Sequence, residues 1–383
     1  MRDGLYHRSP RTILTLGLLA LLIGACGSPD GGDGADGTPE DAAPEAAAES
    51  PTGDDTALVQ PGETRLRNLR QLTFGGDNAE AYFSWDGERL IYQHRPNTET
   101  CDQIYTLDIE SGERTLVSTG EGRTTCAYFY PSGEDIVYSS THHHDASCPA
   151  GPDMSQGYVW PVYDTYDVFI ADADGGDLRQ LTDVDGYDAE ATVSPTGDRM
   201  VFTSVRDGDL ELYSMNLDGS DVTRLTDRLG YDGGAFFSPD GSQIIWRASY
   251  PETEEERADY TRLLDQGLIR PGELDIWVMD ADGSNKRQVT DLPGANFAPY
   301  WHPSGERIIF SSNHEEPTGR EFELYLVNLD GTGLERITHS EGFDGFPVFS
   351  PDGRHLVFGS NRNNGDTSDT NVFIAEWVED EGP

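Results

Sequence analysis

The chain has 383 residues, with 70 acids against 26 lysines and arginines and a formal charge of -44 at pH 7. A surface this anionic repels phosphodiester backbones and acidic lipid, which excludes nucleic acid and anionic membrane faces as partners. Adaptation to high salt, where screening relieves self-repulsion, accounts for such a charge; gathering of cations or of a basic partner is the other reading.

Arg2, Arg8 and Arg11 precede an apolar run from Ile13 to Ile23, which stops at Gly24-Ala25-Cys26. A basic start, a short apolar core and small residues before one cysteine predict a bacterial lipoprotein signal over residues 1–25, with Cys26 as the lipidated residue. The run is too short to stay as a membrane-spanning helix. Gly27 and Ser28 follow, with no Asp directly after the cysteine, so in a cell with two membranes the expected address is the outer one, facing the periplasm. Residues 26–63 are almost all Gly, Ala, Pro, Ser, Thr and acids, without Lys or Arg, a composition that cannot bury enough apolar surface to order itself. A disordered acidic tether is expected there.

From residue 64 to 379 one phrase returns six times: SWDGERLIY from Ser84, YPSGEDIVY from Tyr130, SPTGDRMVF from Ser194, SPDGSQIIW from Ser238, HPSGERIIF from His302 and SPDGRHLVF from Ser350. Its glycines recur every 44 to 48 residues, and after 64 in two places where segments 141–165 and 249–272 are inserted. Each phrase is a Gly hairpin between two apolar strands, followed by a third strand (Ile104-Tyr105, Val168-Phe169, Leu212-Tyr213, Ile276-Trp277, Leu324-Tyr325, Val372-Phe373). A second Gly turn leads to a fourth strand carrying pairs such as Leu181-Thr182. The fold predicted is all-β, a six-bladed β-propeller of four-stranded blades. The last repeat lacks its fourth strand, and Leu69-Arg70-Gln71-Leu72-Thr73 matches Leu178 to Thr182, so an N-terminal strand is expected to complete the last blade.

The SPDG turns, the S-x-R-D-G at Ser204 to Gly208 and the MDADGSNKRQVT at Met279 to Thr290 resemble the repeats of the TolB-type six-bladed propeller family, over roughly Leu66 to Val378. The resemblance implies a binding platform, although propellers of this type also accompany peptidases or act as lyases. TolB itself carries a small α/β domain ahead of its propeller and no lipid anchor, where this chain has a lipidation signal and a linker.

In such a ring both insertions are loops between second and third strands and should share one face, the face on which binding is built on a rigid scaffold. Inter-blade loops bring Asn78, Thr124, Asp188, Asp232, Asn296 and Asp344 to equivalent positions, with Glu80, Cys126, Glu190, Gly234, Ala298 and Phe346 two residues later. A polar ring at the channel mouth is expected. Tyr187, Asp188, Glu190, Tyr231, Asp232, Asp344 and Trp160 are the predicted ligand contacts, the acids giving charge and the aromatics apolar area; the same Asp and Asn side chains could instead bond nearby backbone.

The first insertion sets His142, His143, His144, Asp145 and Cys148 close together. His142 and His144, on one side of an extended strand, could hold a divalent metal with Asp145. The second predicts a short amphipathic helix with Tyr260, Leu263 and Leu264 on its apolar face and Gly267 as its stop. Cys101, Cys126 and Cys148 all fall on this face, so one disulfide is expected, Cys101–Cys126 preferred over Cys126–Cys148. DADGSN from Asp280 lacks the Gly and Glu of a calcium loop and reads as a turn; no G-x-S-x-G elbow is present. These readings give a monomeric, lipid-anchored envelope platform, without cofactor or catalysis, for a protein, peptide or envelope glycan. A metal-dependent lyase-like or hydrolytic enzyme using the His and acid set is the alternative.

Overall fold

The computed structural model describes residues 58–365 and 367–379; the signal, Cys26 and the tether as far as residue 57 lie outside them. The apolar strands close into six four-stranded antiparallel blades, so the molecule is a six-bladed propeller. Inner strands are Asp77–Phe83, Thr124–Phe129, Asp188–Val193, Tyr231–Phe237, Asn296–Trp301 and Asp344–Phe349. Each blade keeps its aromatic-ended trio inside. Ile91, Val137, Val201, Ile245, Ile309 and Val357 on the second strands are all 0% exposed, and Tyr92, Tyr138, Phe202, Trp246, Phe310 and Phe358 beside them are fully buried.

The hairpins explain the repeated phrase. Gly87, Gly133, Gly197, Gly241, Gly305 and Gly353 all have φ between 69° and 77°, the left-handed region that only glycine enters without steric cost. In the first blade the Ser84 hydroxyl accepts the Arg89 N–H at 2.9 Å and donates to Asp86, tying the turn from inside.

The ring closes as the sequence predicts. Leu66–Gln71 pairs antiparallel with Asn371–Trp377, Leu66 opposite Trp377 and Gln71 opposite Phe373, completing the sixth blade. Residues ahead of the expected boundary at 64 belong to the propeller's packing: Leu58 and Val59 pack on the core of the last two blades, and Glu63 is 3% exposed beneath Arg362.

Both insertions stand on one rim and meet there. Trp160–Pro161 of the first and Leu268–Ile269 of the second form a two-stranded sheet, with Leu268 opposite Pro161 and Ile269 opposite Trp160. The predicted helix runs from Glu254 to Leu264, opened by a capping box between Thr253 and Glu256 and three acids in its first turn. Leu263 is fully buried with Val159 and Leu268. The Tyr260 hydroxyl donates to Asp209 at 2.5 Å and to the Gly230 carbonyl at 2.7 Å, fastening the helix to the loop before the fourth blade.

The cysteine pairing differs from the expectation. Cys101 bonds Cys148, Cα atoms 5.6 Å apart, and Cys126 stays free. Cys126 sits on a backbone bulge that turns it toward the channel, whereas Cys101, ahead of the third strand of the first blade, meets the first insertion across the blade junction. Replacing Cys101 and Cys148 by serine together is expected to cost about 2–3 kcal/mol, since the bond closes a long loop. The urea midpoint reads this; an unshifted midpoint would mean that the crosslink adds nothing to a ring already closed.

Candidate functional site

The six residues that open the inner strands turn out to be the stitching between blades. The backbone N–H of Asn78, Thr124, Asp188, Asp232, Asn296 and Asp344 each donates to a carbonyl of the preceding blade (Thr370, Asp102, Tyr166, Leu210, Leu274 and Phe322) at 2.8 to 3.0 Å. Their side chains are 0–1% exposed. Asp188 accepts both its bonds from Arg206, at 3.0 and 3.1 Å. Asp232 accepts from Trp246 Nε1 at 2.6 Å and Tyr250 at 2.5 Å, and Asp344 from Arg362 at 2.8 Å and Ser340 at 2.7 Å. Asp188, Asp232 and Asp344 are therefore structural acids that a ligand does not reach, which corrects their predicted role as contacts.

Two residues further on, the backbone reverses hand in every blade. Glu80, Cys126, Glu190, Gly234, Ala298 and Phe346 have φ between 48° and 60°, at a bulge where the pairing register shifts. A left-handed non-glycine residue costs about 1–2 kcal/mol, so five of the six blades carry strain here. The bulge aims these side chains into the channel.

Together they line a small chamber with Tyr82, Phe236 and Arg247. Arg247 Nη2 meets Glu190 Oε1 at 2.6 Å and Arg247 Nε donates to the Tyr231 hydroxyl at 2.9 Å. Glu190 Oε2 accepts from the Gly234 N–H at 2.7 Å and the Thr203 hydroxyl at 2.9 Å. The glycine pair makes room for this cluster. A Cβ on Gly233 would lie 2.4 Å from the Tyr231 hydroxyl and 2.5 Å from Glu190, and one on Gly234 would lie 2.4 Å from Arg247.

Trp160 roofs the cluster, its ring 5.6 Å from the Arg247 guanidinium carbon and 6.2 Å from the Tyr231 ring. Tyr187, edge-on to Tyr166 at 5.8 Å, stands beside it. Glu190, Tyr231, Tyr187 and Trp160 thus lie close together around Arg247. Below, Tyr82, Tyr128, Phe236 and Tyr300 from four blades cross the axis with ring centres 5.2 to 6.2 Å apart and the hydroxyls of Tyr128 and Tyr300 at 3.3 Å. This aromatic layer floors the chamber. Beyond it a second, larger cavity opens at the hairpin face, lined by Trp85, Pro195, Pro239, Pro303 and Pro351 of the repeated turns.

Burial pushes the Glu80 carboxyl up to about 7 despite the pull of Arg247. Burial, reinforced by Glu80 and Glu190, also pushes the Cys126 thiol up, so it keeps its proton and is a poor nucleophile.

The histidines are not gathered. The His142 ring lies 4.5 Å from that of Phe169, with Nδ1 at 2.8 Å from the Ser140 hydroxyl, and His143 bonds Gln180. This is the repeat position at which Arg206 covers Phe202 and Arg362 covers Phe358, 4.9 and 5.1 Å from the rings. His144 and Asp145 are exposed on the loop, and Asp145 accepts from Ser147. Among the described residues no group of three His, Cys, Asp or Glu side chains is placed to hold a metal ion, so His142, His144 and Asp145 do not form the predicted set.

Arg247 is the functional residue that sequence reasoning missed. The residues that pair like it with the inner strand in the other blades are Gln93, Ser139, Thr203, Ser311 and Gly359. One arginine among five small or neutral residues is a signal readable from the repeats.

A propeller with a roofed chamber at one mouth is a scaffold class shared by many proteins. The family model for the TolB beta propeller domain matches residues 152–258 and 266–368, over half of this chain, which belongs to that family. Among solved structures, TolB of Acinetobacter baumannii superposes with TM-score 0.53 at 15% identity, over 72% of this chain and 57% of that one. A TolB-like protein of Agrobacterium tumefaciens gives TM-score 0.51 at 20% identity, over 79% and 91%. Both speak for the fold. The uncharacterized protein Atu1656 of Agrobacterium fabrum is 28% identical over 122 residues, 31% of this chain and 34% of that protein, so the match spans about a third of that relative's length.

Proposed function

We propose that this protein is a non-catalytic binding platform of the cell envelope, anchored through a lipid on Cys26 at the outer membrane and facing the periplasm. It takes a protein, peptide or envelope glycan at the insertion-bearing mouth. The observation that carries this reading is the joining of the two insertions into one roof, with Trp160 over Arg247, at a chamber in which charge (Glu80, Glu190, Arg247) and aromatic area (Tyr82, Phe236, Phe346) line the same space. A concave, mostly apolar site with few convergent polar groups is what ligand recognition needs. The likeness to TolB structures accords with an envelope setting.

Site-specific photo-crosslinking in the envelope of the producing cell tests it. A crosslinker in place of Tyr158, which is 46% exposed on the roof, is expected to give discrete adducts. The same group in place of Asp86, at the hairpin face, is expected to give none. Adducts from Asp86 alone, or from neither, would reverse the assignment.

A further inference from the structure

We propose that the chamber takes an organic cation, an alkylammonium or guanidinium group carried by the ligand, with Glu80 as its counter-ion. This deepens the platform reading of the same mouth and rests on it. The lining holds two acids and one base. Arg247 is committed to Glu190 and Tyr231, and both Glu190 oxygens are committed to protein donors at 2.6 to 2.9 Å. Those two groups neutralise each other. Glu80 is left over: among the described residues it has no ion pair, and its neighbour is the neutral thiol of Cys126.

A carboxyl in such a place either keeps its proton or finds a cation. Its elevated titration range agrees with the first state in the empty chamber, and a bound cation would take the proton's place. The identity of that cation follows from the walls. Calcium or magnesium needs about six oxygen ligands and zinc four ligands, and among the described residues no group of three His, Cys, Asp or Glu is placed to hold a metal ion. The lining rings of Tyr82, Phe236 and Phe346 instead suit an organic cation, which ring quadrupoles attract. The rings of Tyr82 and Phe236 close one side of the chamber, which suits a charged group at the end of a chain. The formal charge of -44 draws cations toward the molecule before any contact forms.

Calorimetric titration with butylammonium and butylguanidinium, and with butanol as the neutral control, decides the matter. Wild-type protein is expected to bind both cations above pH 7, not butanol, and to release up to one proton on binding as the pH is lowered below 7. The affinity should fall about tenfold for each pH unit below 7. Glu80→Gln should lose binding at least tenfold and lose the pH dependence; Glu80→Asp should keep part of both, which separates the missing charge from misfolding. Equal binding of butanol, or unchanged cation binding by Glu80→Gln, would overturn the proposal. If crosslinks form on the roof but no cation binds, the platform stands without this occupant. Glu80-dependent cation binding with no roof adducts would sink the platform and leave a small-molecule site.

Discussion

Replacing Arg362 by alanine is expected to cost about 3–5 kcal/mol, the range for stripping one partner from a buried ion pair. The Arg362 side chain is 4% exposed, and the Glu63 and Asp344 side chains are 0% exposed. Its guanidinium donates to Asp344 at 2.8 Å, to both Glu63 oxygens at 3.0 and 3.2 Å and to the Leu58 carbonyl at 3.2 Å, and lies over Phe358. Without it two carboxylates stay buried and uncompensated. The loss should appear first as release of residues 58–65 from the closing blade, seen as rapid proteolytic trimming, and then as a lower urea midpoint. Arg362→Lys keeps the charge but not the fork and should fall between. A loss below about 1 kcal/mol would mean that the triad is offset by its own desolvation.

Stability is expected to fall as pH rises from 5 to 8, the reverse of the usual carboxylate behaviour. At three seams an acid at the start of a third strand faces the acid that opens the next inner strand: Asp167 with Asp188, Glu211 with Asp232 and Glu323 with Asp344. Burial, and then the Asp188 charge, raises Asp167 to about 6. Burial, with Asp344 adding to it and Arg336 and Thr338 opposing, raises Glu323 to about 7. Burial raises Glu211 and Asp232 too, with Asp209 adding to the first and Glu211 to the second, against the bonds from Thr226 and Arg224 to Glu211 and from Tyr250 and Trp246 to Asp232. These groups titrate higher in the folded chain than in the unfolded one, so the folded state binds more protons between about pH 4 and 7. Their contribution is complete below that window and is lost as pH climbs through it. Glu323 alone, shifted from 4.5 to about 7, is worth on the order of 3 kcal/mol, and Glu80 acts in the same direction. Urea unfolding at pH 5, 6, 7 and 8 in molar salt, which screens the surface charge, should show the decline, and Glu323→Gln should flatten it. A profile that is level or rises would refute the shared-proton seams.

The architecture was legible because a propeller states its geometry six times. The hairpin glycine, the aromatic-ended trio and the stray N-terminal strand each have one structural solution, and each took it. Side-chain direction was less legible. Alignment placed Asp188, Asp232 and Asp344 at equivalent positions, but their burial follows from the seam hydrogen bonds, which exist only once blades are docked. The same applies to His142, whose repeat position marks it as a cover for Phe169. Cys126 could not be excluded from the disulfide without knowing that its backbone is left-handed. Glu190, Tyr231, Tyr187 and Trp160 were found because residues next to a loop of known face must border the mouth.

The sixth blade also dictates when the protein can fold. One of its strands is among the first described segments, Leu66–Gln71, and its others lie at Asp344–Trp377. Contacts this distant in sequence form slowly, because a long loop must be closed before they stabilise anything. Nearly every residue must be delivered before the circle can be joined, so until then the chain is a row of five sheets that can each form locally, with two unmatched ends.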